Sequence, residues 1–389
     1  MIKPRLILGK IKPYLLLPEA IIITGMRQTG KTTLLNYIYD QINSRNKIFL
    51  DLENPLNRRY FEETNYERIK KTLEVLGIDF TKQAFIFCDE IHFVRNLPSV
   101  VKYFIDHYKV KFFLTGSASF YLKNLFTESL SGRKYIFELF PLTFGEFLLF
   151  KDVTLKIPQE AKDITPSIFE TISCWYEEYI LFGGFPGVVL KTNPSEKKKM
   201  LEEIFTSFYQ LEVRQIGDFR KNEIIRDLIL LLMQRVGFKL DIQRLSKELR
   251  ISRLTLNEYI SFLEGTYFIK RVRPFSQGKD TEIRKMPKVY LCDSGLCNHF
   301  ARLDMGVIFE NSVFQNLRTK GEINYYQRKS GTEIDFILNK KEAYEVKLTP
   351  QAPDLRKLKE VGDKLKLESS NIICKNYSEL SDIIYAFML

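Results

Sequence analysis

Gly25-Met26-Arg27-Gln28-Thr29-Gly30-Lys31-Thr32 fits G-x-x-x-x-G-K-[ST], the phosphate-cradling loop of nucleotide triphosphatases. Ala20-Ile21-Ile22-Ile23 just before it is an apolar run, and Thr33-Leu34-Leu35-Asn36-Tyr37-Ile38 just after it is helix-compatible. Strand, loop and helix is the context the motif requires. The glycines let the backbone curl so that several N–H groups face one phosphate chain. The helix N-terminus adds its partial positive charge. The loop predicts ATP as ligand, held by Gly25, Gln28, Thr29, Gly30, Lys31, Thr32 and Thr33. Lys31 is expected at the β- and γ-phosphates, and Thr32 on Mg²⁺.

Working outward, Ala84-Phe85-Ile86-Phe87-Cys88 reads as a buried strand that ends in Asp89-Glu90. An Asp at a strand end holds Mg²⁺ through water as the partner of Thr32, and a Glu directly after it orients and deprotonates the attacking water. A further strand, Lys111–Thr115, ends in Gly116-Ser117-Ala118-Ser119. In nucleotide hydrolases of the Asp-Glu type such a strand is inserted between the other two. Its polar end then touches the γ-phosphate or the water, with Ser117 the first candidate and Thr115 the alternative. A simple strand-to-helix cap is the competing use of these residues. Lys47–Asp51 reads as one more strand. Strands alternating with helices predict an α/β fold, a parallel sheet covered on both faces. Ligands then sit beyond the carboxyl ends of the strands.

Several later motifs resemble a family of archaeal and bacterial AAA-type ATPases. They are Leu130-Ser131-Gly132-Arg133, the run Phe137-Glu138-Leu139-Phe140-Pro141-Leu142-Thr143-Phe144-Gly145-Glu146-Phe147, and Phe182-Gly183-Gly184-Phe185-Pro186. The resemblance covers the whole chain. It implies an AAA-like core joined to a C-terminal domain of unknown function. It also implies that Arg133 is a phosphate sensor or arginine finger, with a structural salt bridge as the other use of that residue. His92 stands where the family usually shows Gln, which puts a water-relay role of that position in doubt.

Beyond the core, Trp175, Tyr176, Tyr179 and Ile180 lie at helical spacing in a segment that reads as a helical connector. From Asn222 the pattern changes to short helix, turn, longer helix, followed by Tyr267–Val272 and Lys288–Leu291 as a hairpin. That is the grammar of a winged helix. Between Arg235 and Lys288 there are 13 Lys and Arg against 6 Asp and Glu, a surplus of 7. A basic module of this kind suits DNA. The expected contacts are Arg250, Arg253, Asn257, Lys270, Arg271 and Arg273. A winged helix used only for domain packing is the alternative.

The last third carries a second constellation. Glu333-Ile334-Asp335 lies in one strand and Glu345-Val346-Lys347 in the next, and residues two apart on a strand share a face. With Glu310 on the preceding helix they resemble the D…(D/E)-x-K pattern of restriction-endonuclease-like enzymes. That pattern implies Mg²⁺ on Glu310, Asp335 and Glu345, with Lys347 catalytic. Two alternatives stand beside it: a nuclease-like fold that is catalytically idle, and a different α/β module.

The expected organisation is a P-loop core over 1–150, a helical connector over 151–220, a winged helix over 221–290 and a nuclease-like α/β domain over 291–389. The net charge of +11 points to an anionic partner, here DNA, with a second copy or another protein as further partner. No apolar run approaches the length of a membrane helix, so no membrane partner is expected. Five scattered cysteines predict a reducing, cytoplasmic setting. Cys292, Cys297 and His299 are close in sequence, but buried thiols explain them better than a metal. Lys197-Lys198-Lys199 reads as a solvated helix end. The function these features predict is Mg²⁺-dependent ATP hydrolysis that governs DNA engagement or cleavage. The rivals are a nucleotide-controlled regulatory switch and a small-molecule kinase, the last disfavoured by Glu90.

Overall fold

A computed structural model describes residues 3–116, 130–216, 222–276, 285–328 and 331–389. The chain forms two compact units. The first comprises Met1–Phe140 together with Gly265–Tyr267, and the second comprises Pro141–Glu264 and Phe268–Leu389.

The first unit is built on five parallel strands: β1 (Ala20–Thr24), β2 (Lys47–Asp51), β3 (Ala84–Asp89), β4 (Val110–Gly116) and β5 (Lys134–Glu138). Their order is β2-β3-β4-β1-β5, so β4 is inserted between β1 and β3 as the sequence predicts. The central strands β1, β3 and β4 are buried along their whole length because both faces of the sheet are covered there, while the edge strands β2 and β5 are partly exposed. Ala20, Ile22, Ile86, Cys88, Phe112 and Leu114 join one core. Ile21, Ile23, Phe85, Phe87 and Phe113 join the other, with helix Lys31–Gln41. Burying one side chain of this size stabilises the fold by roughly 1.5–3 kcal/mol.

The second unit begins with helices Phe144–Phe150, Pro166–Phe182, Pro186–Val189 and Pro194–Ser207. Of the residues at helical spacing, Tyr176, Tyr179 and Ile180 are buried in the core and Trp175 only partly so. Two of the family-like motifs meet here. Gly184 N donates to Asp293 Oδ2 at 2.7 Å, and Asp293 Oδ1 accepts from Gly295 N at 2.9 Å. A Cβ on Gly183 would overlap the Asp293 carboxylate, and one on Gly184 would overlap the Leu142 carbonyl. The glycines are therefore required by close packing around a fully buried carboxylate. Lys197 corrects the reading of its run as wholly solvated, since it is buried and paired with Glu178. Cys292 and Cys297 are buried free thiols.

Helices Asn222–Met233, Ile242–Glu248 and Arg253–Gly265 follow, then the antiparallel pair β6 (Ile269–Pro274) and β7 (Lys288–Leu291). Residues 237–240 bond to the far side of β7, through Gly237 N to the Val289 carbonyl and Leu240 N to the Pro287 carbonyl, 2.8 Å each. Helix Met305–Leu317 leads to β8 (Ile323–Gln327), β9 (Glu333–Leu338) and β10 (Glu342–Lys347), an antiparallel series. Helix Ala352–Leu365 then crosses to β11 (Ser369–Cys374), parallel to β10, and β12 (Ile383–Tyr385) closes the edge. Because β6 also pairs with β8, one seven-stranded sheet runs β12-β11-β10-β9-β8-β6-β7 across position 290. Among the described residues no helix is long and apolar enough to cross a membrane.

Candidate nucleotide site, basic pocket and carboxylate cluster

The loop after β1 takes the predicted form. Gly25 and Gly30 have φ of 155° and 93°, a region costly for side-chain-bearing residues. A Cβ on Gly25 would also overlap the Leu139 carbonyl oxygen. Gln28 is left-handed without being glycine, at φ 62°. Helix Lys31–Gln41 starts directly at Gly30. Lys31, 5% exposed, donates to the carbonyls of Gly25 and Met26 at 3.0 Å each. Thr29 Oγ1 donates to the Met26 carbonyl at 2.9 Å. Arg5, which no motif marked, braces the loop by donating to the carbonyls of Thr29 and Phe140 at 2.8 Å each.

Asp89 and Glu90 end β3 beside this loop. Thr115 Oγ1, on the inserted β4, donates to Asp89 Oδ1, and Thr32 also hydrogen-bonds to Asp89. Burial raises the Asp89 carboxyl, and the two threonine bonds partly oppose this. Glu90 is left-handed at φ 52°, which turns it out of the strand direction. Burial pushes its carboxyl up, but His92, Lys31 and Arg27 together hold it down at about 2. His92 Nδ1 lies 3.1 Å from Glu90 Oε2, at ion-pair distance rather than in hydrogen-bond alignment. Thr115, the alternative to Ser117, thus meets the carboxylate; Ser117 itself lies outside the described residues.

Arg133 requires a correction as a group acting on its own chain's nucleotide. Its carbonyl accepts from Ala20 N, at the start of β1. The phosphate loop follows the other end of that strand, roughly 16 Å away at about 3.3 Å per residue. Its guanidinium is engaged with Asp106, Nε to Oδ1, at 2.6 Å.

Tyr267 is another residue that no sequence motif singles out. Its hydroxyl is 2.5 Å from Thr24 Oγ1, on the last residue of β1, and donates to Glu138 Oε1 at 3.0 Å. Tyr267 is left-handed at φ 63°. It belongs to the short segment Gly265–Tyr267 that is counted with the first unit, although its chain neighbours belong to the second.

In the second unit, Arg253, Asn257, Arg271 and Arg273 converge with Lys285 on one pocket of about 400 Å³. Arg271 and Arg273 share a face of β6 by the two-residue period. Arg271 Nε is fixed by Glu264 Oε2 at 2.6 Å. Lys270, on the opposite face, stands 3.6 Å from Glu264, and Arg250 does not line the pocket.

Glu310, Asp335 and Glu345 do come together, and Glu333 joins them. The expected Mg²⁺ does not fit them as they stand. Lys288 of β7, 5% exposed, points into the cluster. Its Nζ is 2.6 Å from Glu333, 3.6 Å from Glu310 and 3.7 Å from Asp335. Asp335 Oδ2 is taken by Val346 N at 2.8 Å, Glu310 Oε1 by the Tyr290 hydroxyl at 2.6 Å and Glu345 Oε1 by Lys347 at 2.9 Å, while Glu345 Oε2 is buried without a hydrogen-bond partner. Among the described residues no group of three or more His, Cys, Asp or Glu is arranged to hold a metal ion. No sequence motif marks Lys288, because β7 lies far from β9 along the chain. The pairing series β7-β6-β8-β9 brings the two strands into one sheet.

Comparison with known proteins agrees with the first unit. Residues 18–148 match the family model of an AAA domain. Residues 174–306 and 305–387 match two domains of unknown function, DUF8612 and DUF4143. The chain is 28% identical over 385 residues to an uncharacterized protein of Methanocaldococcus jannaschii, covering 94% of this chain and 83% of that one. It is 26% identical over 339 residues to an uncharacterized protein of Haemophilus influenzae, covering 82% and 79%. Among solved structures, the Aeropyrum pernix ORC1 protein in complex with DNA aligns at TM-score 0.37 and 13% identity, covering 77% of this chain and 92% of that one. AMPPCP-bound DnaA from Aquifex aeolicus aligns at 0.27 and 16%, covering 67% and 87%. Both scores lie below the range of a shared overall fold.

Proposed function

We propose that this chain binds ATP with Mg²⁺ in its AAA-type unit, hydrolyses it, and uses the nucleotide state to govern binding of DNA by its second unit. The observation that carries the reading is the meeting of Lys31, Thr32, Asp89, Glu90 and Thr115 at the carboxyl ends of β1, β3 and β4. Thr32 and Asp89 are the residues to hold Mg²⁺, which would supply positive charge to the phosphates. Lys31 neutralises charge on the β- and γ-phosphates. Glu90 is fully ionised at neutral pH. With a carboxyl held so low it serves better to orient water than to store its proton. An Arg133 that contributes to hydrolysis must do so from a second copy of the chain, which makes a homo-oligomer part of the proposal.

DNA is assigned to the pocket that gathers Arg253, Asn257, Arg271 and Arg273, and the three helices followed by the antiparallel β6 and β7 support reading this part as a winged helix. The succession of helix, three antiparallel strands, helix and parallel strand from Met305 to Cys374 supports reading this region as a nuclease-like domain. Lys288 within its carboxylates favours the second reading, in which that domain grips a partner without cutting it.

Two substitutions test the nucleotide site. Lys31→Ala removes a charge from the phosphates, so nucleotide affinity should fall at least tenfold by fluorescent-nucleotide titration. Glu90→Gln should bind ATP as the wild type does while turnover drops about 10²-fold or more, the usual order for a lost water-positioning or base residue. Equal loss of binding in both variants would contradict the assignment.

A further inference from the structure

We infer that Lys288 is the resident cation of the Glu310–Glu333–Asp335–Glu345 cluster, so that this nuclease-like domain is built to work without a divalent metal there. The inference stands apart from the ATPase reading, because it rests only on residues of the second unit.

Mg²⁺ needs several oxygens converging on one point at about 2.0–2.1 Å. Here three carboxylates converge instead on an ammonium, at 2.6, 3.6 and 3.7 Å. An ammonium and a metal ion are alternatives at such a point, since both supply positive charge to carboxylates taken out of water. The lysine is fixed there by the fold. The backbone N–H and C=O groups on both sides of it are used by β6 and by residues 237–240. The Tyr325 ring centroid lies 5.6 Å from its Nζ, within cation–π range. One oxygen of each flanking carboxylate is also held elsewhere, Glu310 Oε1 by Tyr290, Asp335 Oδ2 by Val346 N and Glu345 Oε1 by Lys347, while Glu345 Oε2 is buried without a hydrogen-bond partner. A metal entering the cluster would have to expel a buried ammonium from the carboxylate oxygens that face it.

The chemistry differs from that of a metal-loaded site. A lysine ammonium donates hydrogen bonds and neutralises charge, but it does not bind and acidify a water as a Lewis acid does. Held by three carboxylates, it also has little charge left for a phosphate. The cluster therefore fastens β7, and with it the pocket wall Lys285–Pro287 just before it in the chain, to the sheet that carries Asp335.

The test uses the full chain without nucleotide and Mn²⁺ as the probe, followed by its electron paramagnetic resonance signal. The wild type and Asp335→Asn should bind the same amount of Mn²⁺. Lys288→Met should gain one bound Mn²⁺ per chain, and adding Asp335→Asn to it should abolish the gain. Mn²⁺ bound by the wild type and lost in Asp335→Asn would overturn the inference. So would a Lys288→Met variant that melts cooperatively yet gains no metal. Should Lys288→Met not fold, the wild type against Asp335→Asn decides the matter alone.

Discussion

Gly25 shows how much one position can carry. Its φ of 155° and the close approach of the Leu139 carbonyl leave no place for a Cβ. Gly25→Ala must therefore move either the loop or the chain after β5. Backbone strain of this kind costs on the order of 1–3 kcal/mol, and it falls on the loop whose N–H groups are to meet the phosphates. The expected result is at least a tenfold loss of nucleotide affinity with a lowered melting temperature; unchanged affinity would mean that the loop tolerates the shift. Asp293 is the corresponding residue of the second unit. Its carboxylate accepts from the N–H groups of Gly184 and Gly295 and from Gln315 Nε2. The family-like glycines at 183 and 184 are thus explained by packing rather than by chemistry.

Strand β6 sorts its basic residues by alternation. Arg271 and Arg273 line the pocket with Arg253 from helix Arg253–Gly265, while Lys270 belongs to the other face of the strand and does not line it; Glu264 reaches both Arg271 and Lys270. If DNA phosphates are bound there, Arg253→Gln and Arg273→Gln should each flatten the log–log salt dependence of DNA affinity by about 0.9 for every phosphate no longer neutralised. Lys270→Gln should change that slope less. Arg271 is a poorer probe because its guanidinium also fixes Glu264. A slope that responds to Lys270→Gln and ignores Arg273→Gln would move the DNA surface to the opposite face of β6.

Buried acids spread through the second unit make the stability of the molecule depend on pH. Burial pushes Asp293 up to about 6, and burial together with the neighbouring Asp335 pushes Glu310 and Glu345 up to about 7. A carboxyl raised in the folded state holds its proton there after the unfolded chain has released it. Stability is then lost as pH climbs from the unfolded value toward the folded one. The melting temperature of the transition that reports the second unit should fall between about pH 5 and pH 7, and Glu310→Gln should make the fall shallower. Glu90, held at about 2, acts in the opposite sense and only in acid. A melting temperature that rises across the neutral window, or a slope untouched by Glu310→Gln, would contradict this.

The nucleotide loop, the Asp89-Glu90 pair and the parallel sheet with its inserted strand are all legible in the linear chain. Each is local: a loop motif is contiguous, and a strand buried on both faces announces itself as an unbroken apolar run. Helix and hairpin order in the second unit is legible for the same reason. Three features arise only on folding. Arg133 falls at the far end of the sheet because parallel pairing with β1 sets its level, which no motif encodes. Tyr267 reaches Thr24 across 243 positions of chain. Lys288 reaches Asp335 because β6, β8 and β9 follow one another in the sheet order. Short E-x-K strings name the carboxylates of a site, but the charge that finally sits among them is chosen by long-range strand pairing, to which a linear reading has no access.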